Sequence, residues 1–218
     1  FIISYLYEIY SKYDKTIIYE GPVFLNKETS ITKHISINKK YQDEYDHKHL
    51  KYYKYNYAIS CWIWINPQPS NTSPAYATET SLLQYGENGK NSIIKIKYNN
   101  NNFNIYAQSS TNKDSNIDEL VDGSINVIYQ KWNNFVINYS GGNLDVFINN
   151  KLVVSKPNIV PIFENISISD DDDPYDKYLF TTVIGSNNGI HGGIRDITYY
   201  NDTISRTKIN SIYTFDNY

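Results

Sequence analysis

The stretch from residue 132 to residue 154, WNNFVINYSGGNLDVFINNKLVV, constrains the fold more than any other part of the chain. Three runs of strand-forming residues are separated by two short breaks, Gly141-Gly142 and Asn149-Asn150. Glycine and asparagine tolerate the positive φ angles that two-residue hairpin turns need. The stretch therefore predicts consecutive antiparallel strands joined by sharp turns.

Runs of strand length continue along most of the chain. The strongest is Tyr57–Ile65, with apolar residues on both faces, which predicts a central strand covered on both sides. The asparagine run 99–102 predicts another hairpin turn, and residues 205–213 predict a short terminal helix. Because no helices alternate with the strands, the pattern favours an all-β, antiparallel two-sheet sandwich.

The sandwich is predicted to be one domain over residues 16–218. Residues 1–15 are apolar and aromatic but too short to cross a membrane, so we expect a flanking segment. It is either juxtamembrane, with a membrane tether at or outside the N-terminus, or an ordinary docked terminal element. The absence of Met, even at position 1, indicates a processed product or a piece of a longer protein.

Charge and cysteine content exclude several classes of function. The net charge is −3, and the 20 lysine and arginine residues form no sustained basic stripe that would hold a phosphate backbone. Arginine occurs only at Arg195 and Arg206, which disfavours bidentate clamps for phosphate or carboxylate groups. We therefore expect no nucleic-acid partner. Cys61 is the sole cysteine, which excludes an internal disulfide, and its place in a strand predicts a buried thiol. The 23 tyrosines predict many rings at half-buried or rim positions.

Catalytic patterns are absent from the sequence. A glycosidase of a β-sandwich type needs carboxylates that alternate on one strand face. Here Asp118 and Glu119 are adjacent, and Asp145 stands alone in its strand, so we expect no enzyme activity. His47 and His49, in the run DEYDHKH at residues 43–49, have a spacing that suits zinc or copper, but a solvated polar loop is the favoured interpretation.

Three kinds of binding or modification site remain as candidates. Calcium is a candidate cofactor on the acidic run Asp170, Asp171, Asp172, Asp173 and Asp176, although such runs are usually only solvated. In the loop SNNGIHGGIRD, hydroxyls of a ligand are expected to pair with Asn187, Asn188 and His191, unless its glycines merely shape the entry to the last strand. Glycosylation sequons, relevant only on a secretory route, occur at Asn71, Asn138, Asn165 and Asn201.

Three segments, taken in order, resemble laminin G-like, concanavalin A-like jelly-roll domains. These are YAISCWIWI, WNNFVINYSGGNLDVFINNKLVVSK and GGIRDITYYNDTISRTKINSIY. The abundance of Asn, Ile, Lys and Tyr is similar to that of such domains encoded by large AT-rich DNA viruses. The resemblance implies a two-sheet jelly roll that binds glycans or protein partners, and in a virus it implies a place on or within the virion. Some laminin G-like domains also bind calcium at a loop rim.

The predicted function is a non-catalytic binding module, lectin-like or adhesive, at the virion surface or associated with the virion. The alternative is a structural capsid or membrane-associated component that binds other virion proteins, and an unusual glycan hydrolase is the third hypothesis. The predicted core contains Phe135, Ile137, Leu144, Val146 and Ile148. Trp62 and Trp132 are predicted to belong to the core and not to a ligand platform.

Overall fold

A computed structural model describes residues 15–36, 56–67, 69, 72–87, 91–108, 118–159 and 177–215. Within these ranges the chain forms thirteen β-strands, a 3₁₀ turn at Pro74–Tyr76 and an α-helix, α1 (Arg206–Phe215). The strands are β1 (Lys15–Tyr19), β2 (Val23–Phe24), β3 (Thr29–Ser36), β4 (Tyr57–Ile65), β5 (Thr80–Glu87), β6 (Asn91–Asn99), β7 (Asn102–Gln108), β8 (Asp118–Asn126), β9 (Trp132–Ser140), β10 (Asn143–Ile148), β11 (Lys151–Lys156), β12 (Lys177–Ile184) and β13 (Gly192–Tyr200).

The strands form two antiparallel sheets. One has seven strands in the order β1-β13-β4-β9-β10-β11, with β2 also paired to β13. The other has six strands in the order β3-β12-β5-β6-β7-β8. The predicted all-β, antiparallel two-sheet jelly-roll sandwich is confirmed, and β4 is a central strand between β13 and β9 as expected.

The hairpins form where the sequence predicts them. Gly141 and Gly142 have φ angles of 54° and 92°, and Asn149 and Asn150 have φ angles of 49° and 62°. Asn100 and Asn101, between β6 and β7, also have positive φ. The positive φ angles keep each turn short, so that successive strands pair directly.

The core lies between the inner faces of the two sheets. All five predicted core residues are buried, and the rings of Phe135 and Phe103 meet edge to face across the sheets with centroids 4.8 Å apart. Cys61 is 1% exposed, and burial raises the pKa of its thiol, so it packs as a small apolar side chain.

Several tyrosines are buried in the core, whereas half-buried or rim positions were expected for many of these rings. Tyr57 stacks on Tyr139 with ring centroids 5.3 Å apart, and Tyr85 stacks on Tyr199 at 5.7 Å. Burial raises the pKa of the phenols of Tyr57 and Tyr85 well above the ordinary value. Tyrosine enters the core here because neighbouring rings stack on each other and bury large apolar areas.

The outer face of the seven-stranded sheet is divided by the terminal helix. Helix α1 lies against one part of it, where Ile209 and Ile212 pack with Ala58, Val136 and Tyr200, and Tyr213 stacks on Trp62. We call Ala58, Trp62, Val136 and Tyr200 the covered half. Trp62 is fully buried there, with its ring 6.1 Å from that of Tyr213. The even-numbered residues of β4 thus face away from the other sheet. The prediction that Trp62 is a core residue and not a ligand platform is confirmed, although its ring is buried under α1 and not between the two sheets.

Some expectations concern residues outside the described ranges. These include most of the N-terminal segment 1–15, of which only Lys15, the first residue of β1, is described. In the described part of the chain, none of the helical segments has the length and apolar character needed to cross a bilayer.

Candidate functional site

Neighbouring strands place an aromatic row across the outer face of the seven-stranded sheet, beside the covered half. Phe24 of β2 pairs with Gly193 of β13, Gly193 pairs with Trp64 of β4, and Trp64 pairs with Trp132 of β9. Residues paired in this way lie about 5 Å apart and point to the same side of a sheet. We call Phe24, Gly193, Trp64 and Trp132 the aromatic row.

A cleft of about 410 Å³ lies over the aromatic row. Phe24 stands at one side with 75% of its surface exposed, although a phenylalanine of a sandwich domain is usually buried. The rings of Trp64 and Trp132 meet edge to face, with centroids 5.9 Å apart. The other described lining residues are Pro22, Asn26, Asn66, His191 and Gly192.

Gly193 makes room for the tryptophans of the row. A Cβ atom at this position would stand 3.6 Å from Cη2 of Trp132, which is ordinary contact distance for a methyl group. The glycine thus allows the ring of Trp132 to lie close over the backbone of β13.

Arg195 supports the row from the side of the covered half. Its guanidinium carbon lies 4.9 Å from the ring centre of Trp132 and 5.3 Å from that of Trp62. Asp196, in a bulge of β13 with φ of 53°, forms an ion pair with Arg195. Burial raises the pKa of the Asp196 carboxyl, although Arg195 opposes the shift. The cation is therefore stacked and neutralised within the sheet surface.

The polar rim of the cleft is braced by hydrogen bonds. Trp64 donates from Nε1 to Oδ1 of Asn66 (2.8 Å), and the backbone N–H of Asn66 donates to the carbonyl oxygen of His191 (3.0 Å). The hydroxyl of Tyr76 joins both loops: it donates to the carbonyl oxygen of Asn66 (3.0 Å) and accepts from the backbone N–H of His191 (3.0 Å). Tyr76 is 3% exposed, and burial raises its pKa. The buried hydroxyl therefore holds the two rim loops together.

The wall that carries Pro22 and Phe24 is anchored through Leu25. The N–H of Leu25 donates to the carbonyl oxygen of Gly192 (3.1 Å). A Cβ on Gly189 would lie 2.4 Å from the carbonyl oxygen of Leu25, so only glycine allows this close approach. This glycine of the loop therefore shapes the wall of the cleft.

The predicted ligand-binding residues fall in different places. His191 lines the cleft, whereas the described lining does not include Asn187 or Asn188. Oδ1 of Asn187 accepts a hydrogen bond from the N–H of Glu28 (3.4 Å), and Asn188 occupies a turn with φ of 60°. Both asparagines thus belong to the turn before β13, and a ligand role for His191 stays a prediction.

The row itself was missed by sequence reasoning. Trp132 was predicted to be core, but it is only partly buried and lines the cleft, because it pairs with the outward-facing Trp64. The alternation along β4 placed Trp62 and Trp64 on one face and was the available signal. The alternation could not show that Phe24, from a distant part of the chain, lies beside that face through its pairing with Gly193.

Glycosylation of the predicted sequon Asn138 stays a prediction, and its side-chain amide makes two hydrogen bonds in the folded protein. Nδ2 of Asn138 donates to the carbonyl oxygen of Ile204 (2.9 Å), and its Oδ1 accepts from the N–H of Ile204 (3.1 Å). Both sides of the amide are engaged beside the covered half, so a glycan attached there would break this pair and displace the chain before α1. Asn201 lies in the bend that follows β13, and its glycosylation stays a prediction.

The remaining predicted sites lie outside the described residues. These are the acidic run Asp170, Asp171, Asp172, Asp173 and Asp176, the sequons Asn71 and Asn165, and the cluster at 43–49. Among the residues that the structure describes, His, Cys, Asp and Glu form no group of three or more that would hold a metal ion.

Comparisons with known proteins show likeness in structure alone. No protein-family model matches the chain, and no curated protein sequence matches it. The receptor-binding domain of botulinum neurotoxin D is similar with a TM-score of 0.55 at 20% identity, over 94% of this chain and 46% of that one. The ligand-binding domain of botulinum neurotoxin serotype D, in complex with N-acetylneuraminic acid, is similar with a TM-score of 0.51 at 18% identity, over 94% and 44%.

A sialidase of Trypanosoma rangeli is similar with a TM-score of 0.53 at 10% identity, over 94% of this chain and 30% of that one. This chain thus spans less than half of each of these solved structures. At these identities the likeness shows that the chain has the β-sandwich fold found within these proteins.

Proposed function

We propose that the protein is a non-catalytic carbohydrate-binding module and that the cleft over the aromatic row is its binding site. The observation that carries this proposal is the exposure of aromatic rings, above all Phe24, in a concave site with a polar rim. A sugar ring has apolar C–H faces, which stack on aromatic rings, and hydroxyls, which pair with amides and imidazoles. Binding sites of small molecules combine apolar walls with a few placed polar groups in this way.

The way the cleft is built indicates that its exposed rings serve to bind a ligand. A single exposed ring is common on a protein surface, but adjacent exposed rings that line a concave site with a polar rim often mark an interaction site. The rim groups Asn66 and His191 are held by the buried Tyr76 hydroxyl before any ligand arrives. Such preorganisation reduces the entropy lost on binding.

One structural neighbour supports a glycan ligand in a limited way. The botulinum neurotoxin D ligand-binding domain was solved with N-acetylneuraminic acid, and this chain covers 44% of that domain. The fold is therefore found within a protein that binds a sugar, and the location of the cleft rests on this chain's own residues.

A glycan array tests the proposal with matched aromatic substitutions. We expect selective binding by the unchanged protein and at least about a tenfold loss, about 1.4 kcal/mol, for Trp132→Ala and Phe24→Ala. Phe215→Ala is the control because Phe215 is also a well-exposed phenylalanine, at 63%, but lies at the end of α1. Equal binding by Trp132→Ala, Phe24→Ala and Phe215→Ala would place any glycan site elsewhere, and no binding by the folded protein would refute the proposal.

Calcium and a place in a virus particle belong to the proposal only through the sequence resemblance. We expect calcium on the acidic run 170–176, and an array repeated with EDTA tests it: binding lost in EDTA supports a calcium-dependent lectin, and unchanged binding removes calcium from the mechanism. Localisation at the virion is tested by mass spectrometry of purified particles from the source.

A protein-binding structural role is the second candidate function. Leu152 and Val153 are 53% and 39% exposed on β11, the last strand of its sheet within the described part of the chain. Unpaired strand edges with apolar residues are sites of protein association. Self-association in sedimentation experiments that is abolished by Leu152→Lys, together with no glycan binding, would favour this role.

A further inference from the structure

We infer that the cleft selects uncharged sugars and disfavours acidic ones. This inference rests on the proposed function and names the ligand class of the same site. It departs from the ligand of the structural neighbour, because N-acetylneuraminic acid carries a carboxylate.

The described lining offers stacking surfaces and neutral polar groups. Its apolar part is made of aromatic rings, a proline and glycines, and its polar part is made of Asn26, Asn66 and His191. No lysine, arginine, aspartate or glutamate occurs among these described lining residues. An anionic sugar would therefore leave water without gaining a permanent positive charge, which is costly.

The cation beside the cleft is already compensated. Arg195 is stacked between the indoles of Trp62 and Trp132 and paired with the carboxylate of Asp196. Its side chain is only 17% exposed. A ligand carboxylate would have to compete with Asp196 for the guanidinium, and it would meet the negative charge of Asp196 at the same place.

The side-chain amide of Asn66 at the rim is oriented to bind the hydroxyl groups of a ligand. Oδ1 of Asn66 accepts from the indole N–H of Trp64, so the NH₂ of this amide is left to donate toward a ligand. Sugar hydroxyls and ring oxygens accept such bonds without bringing a charge into the cleft. Stacking and amide pairing together therefore favour a neutral sugar.

The test compares each uncharged glycan on an array with its sialylated, sulfated or uronic-acid counterpart. For the strongest binder, calorimetry follows at low and high NaCl concentration. We expect Trp132-dependent binding of uncharged glycans, at least about a tenfold loss when the sugar in the cleft becomes anionic, and little change with salt.

The variant Asp196→Asn sharpens the test. Asparagine suits the positive φ of this position, and the substitution removes the charge that compensates Arg195. We expect the ratio of the affinity for the uncharged sugar to that for its anionic counterpart to fall several-fold. An unchanged ratio would contradict the assigned role of the ion pair.

The failures of the two proposals are distinguishable. A Trp132-dependent preference for acidic glycans that weakens with salt would overturn this inference and keep the carbohydrate-binding function. Absence of binding to all glycans, or binding that is indifferent to Trp132→Ala, would overturn both.

Discussion

The outer face of the seven-stranded sheet has two parts, one covered by helix α1 and one open to solvent. In the covered half, Trp62 and Val136 are fully buried beneath helix α1. The aromatic row lies next to the covered half, since Trp64 is two residues beyond Trp62 in β4. There Trp64 and Trp132 remain partly exposed and Phe24 is largely exposed. Similar residues thus contribute to stability where α1 covers them and present a surface where it does not.

Arg195 stands at the boundary between the two parts. It contacts Trp62 on one side and Trp132 on the other. The comparison therefore predicts that substitutions on the two sides of Arg195 separate stability from binding.

The largest effect is expected for Trp62→Ala in the covered half. Loss of a fully buried tryptophan leaves a large cavity and is expected to reduce the free energy of unfolding by about 3–5 kcal/mol. Trp62→Phe is the control. It keeps a ring against Tyr213 and removes an indole N–H that has no partner in the described structure, so its cost is expected to be much smaller. Denaturant unfolding measures both; similar costs for the two variants would show that ring packing is not what stabilises this half.

The matching substitution in the aromatic row is Trp132→Ala. Because this side chain is partly exposed, we expect a stability loss well below that of Trp62→Ala, together with the tenfold or greater loss of glycan binding given above. The same unfolding experiment and calorimetry on the same samples provide the comparison. If Trp132→Ala destabilised the protein as much as Trp62→Ala, the row would be a second structural layer and not a surface for a ligand.

A smaller effect is expected for Tyr76→Phe, which removes only the hydroxyl that joins the rim loops. We expect glycan affinity to fall several-fold, about 1 kcal/mol, with faster amide hydrogen exchange at His191. Tyr139→Phe is the control, because the hydroxyl of Tyr139 donates to the carbonyl oxygen of Ile159 (3.0 Å) at the opposite end of β9 from Trp132. Equal losses of affinity in the two variants would contradict a specific role of Tyr76 at the rim.

The smallest effect is a loss of stability at acid pH, and it concerns Glu79, which belongs neither to the covered half nor to the aromatic row. Burial acts to raise the pKa of Glu79, but hydrogen bonds from Lys97, Tyr106 and Asn104 and the charge of Lys97 outweigh it and lower the pKa. A carboxyl with a lowered folded-state pKa contributes stability above its unfolded pKa, and that contribution is lost as pH falls through the folded pKa. We expect a modest loss of stability below about pH 4 that is reduced in Glu79→Gln. An identical acid profile for this variant would show that Glu79 has no part in it.

Much of the fold follows from local sequence patterns. The turns at Gly141-Gly142 and Asn149-Asn150 and the alternation of Tyr57–Ile65 were readable because turn chemistry and strand periodicity depend on neighbouring residues only. The predicted core residues were buried for the same reason. The buried tyrosines were not predicted, because their rings stack on partners from other strands.

The candidate site was predictable only in part. His191 was singled out by its glycine-rich loop, and that loop does reach the cleft. Asn187 and Asn188 share the loop, but they serve the turn, since the direction of a side chain in a loop depends on the backbone path and not on composition.

The sequence by itself determined which residues alternate and where the chain turns, and therefore that two antiparallel sheets enclose a core. Only the tertiary structure decided which outward-facing aromatics are covered and which are open. That outcome depends on the register of β2, β13, β4 and β9 and on where α1 lies. Register and helix docking are set by contacts between distant residues, such as Phe24 beside Gly193, which local periodicity does not encode.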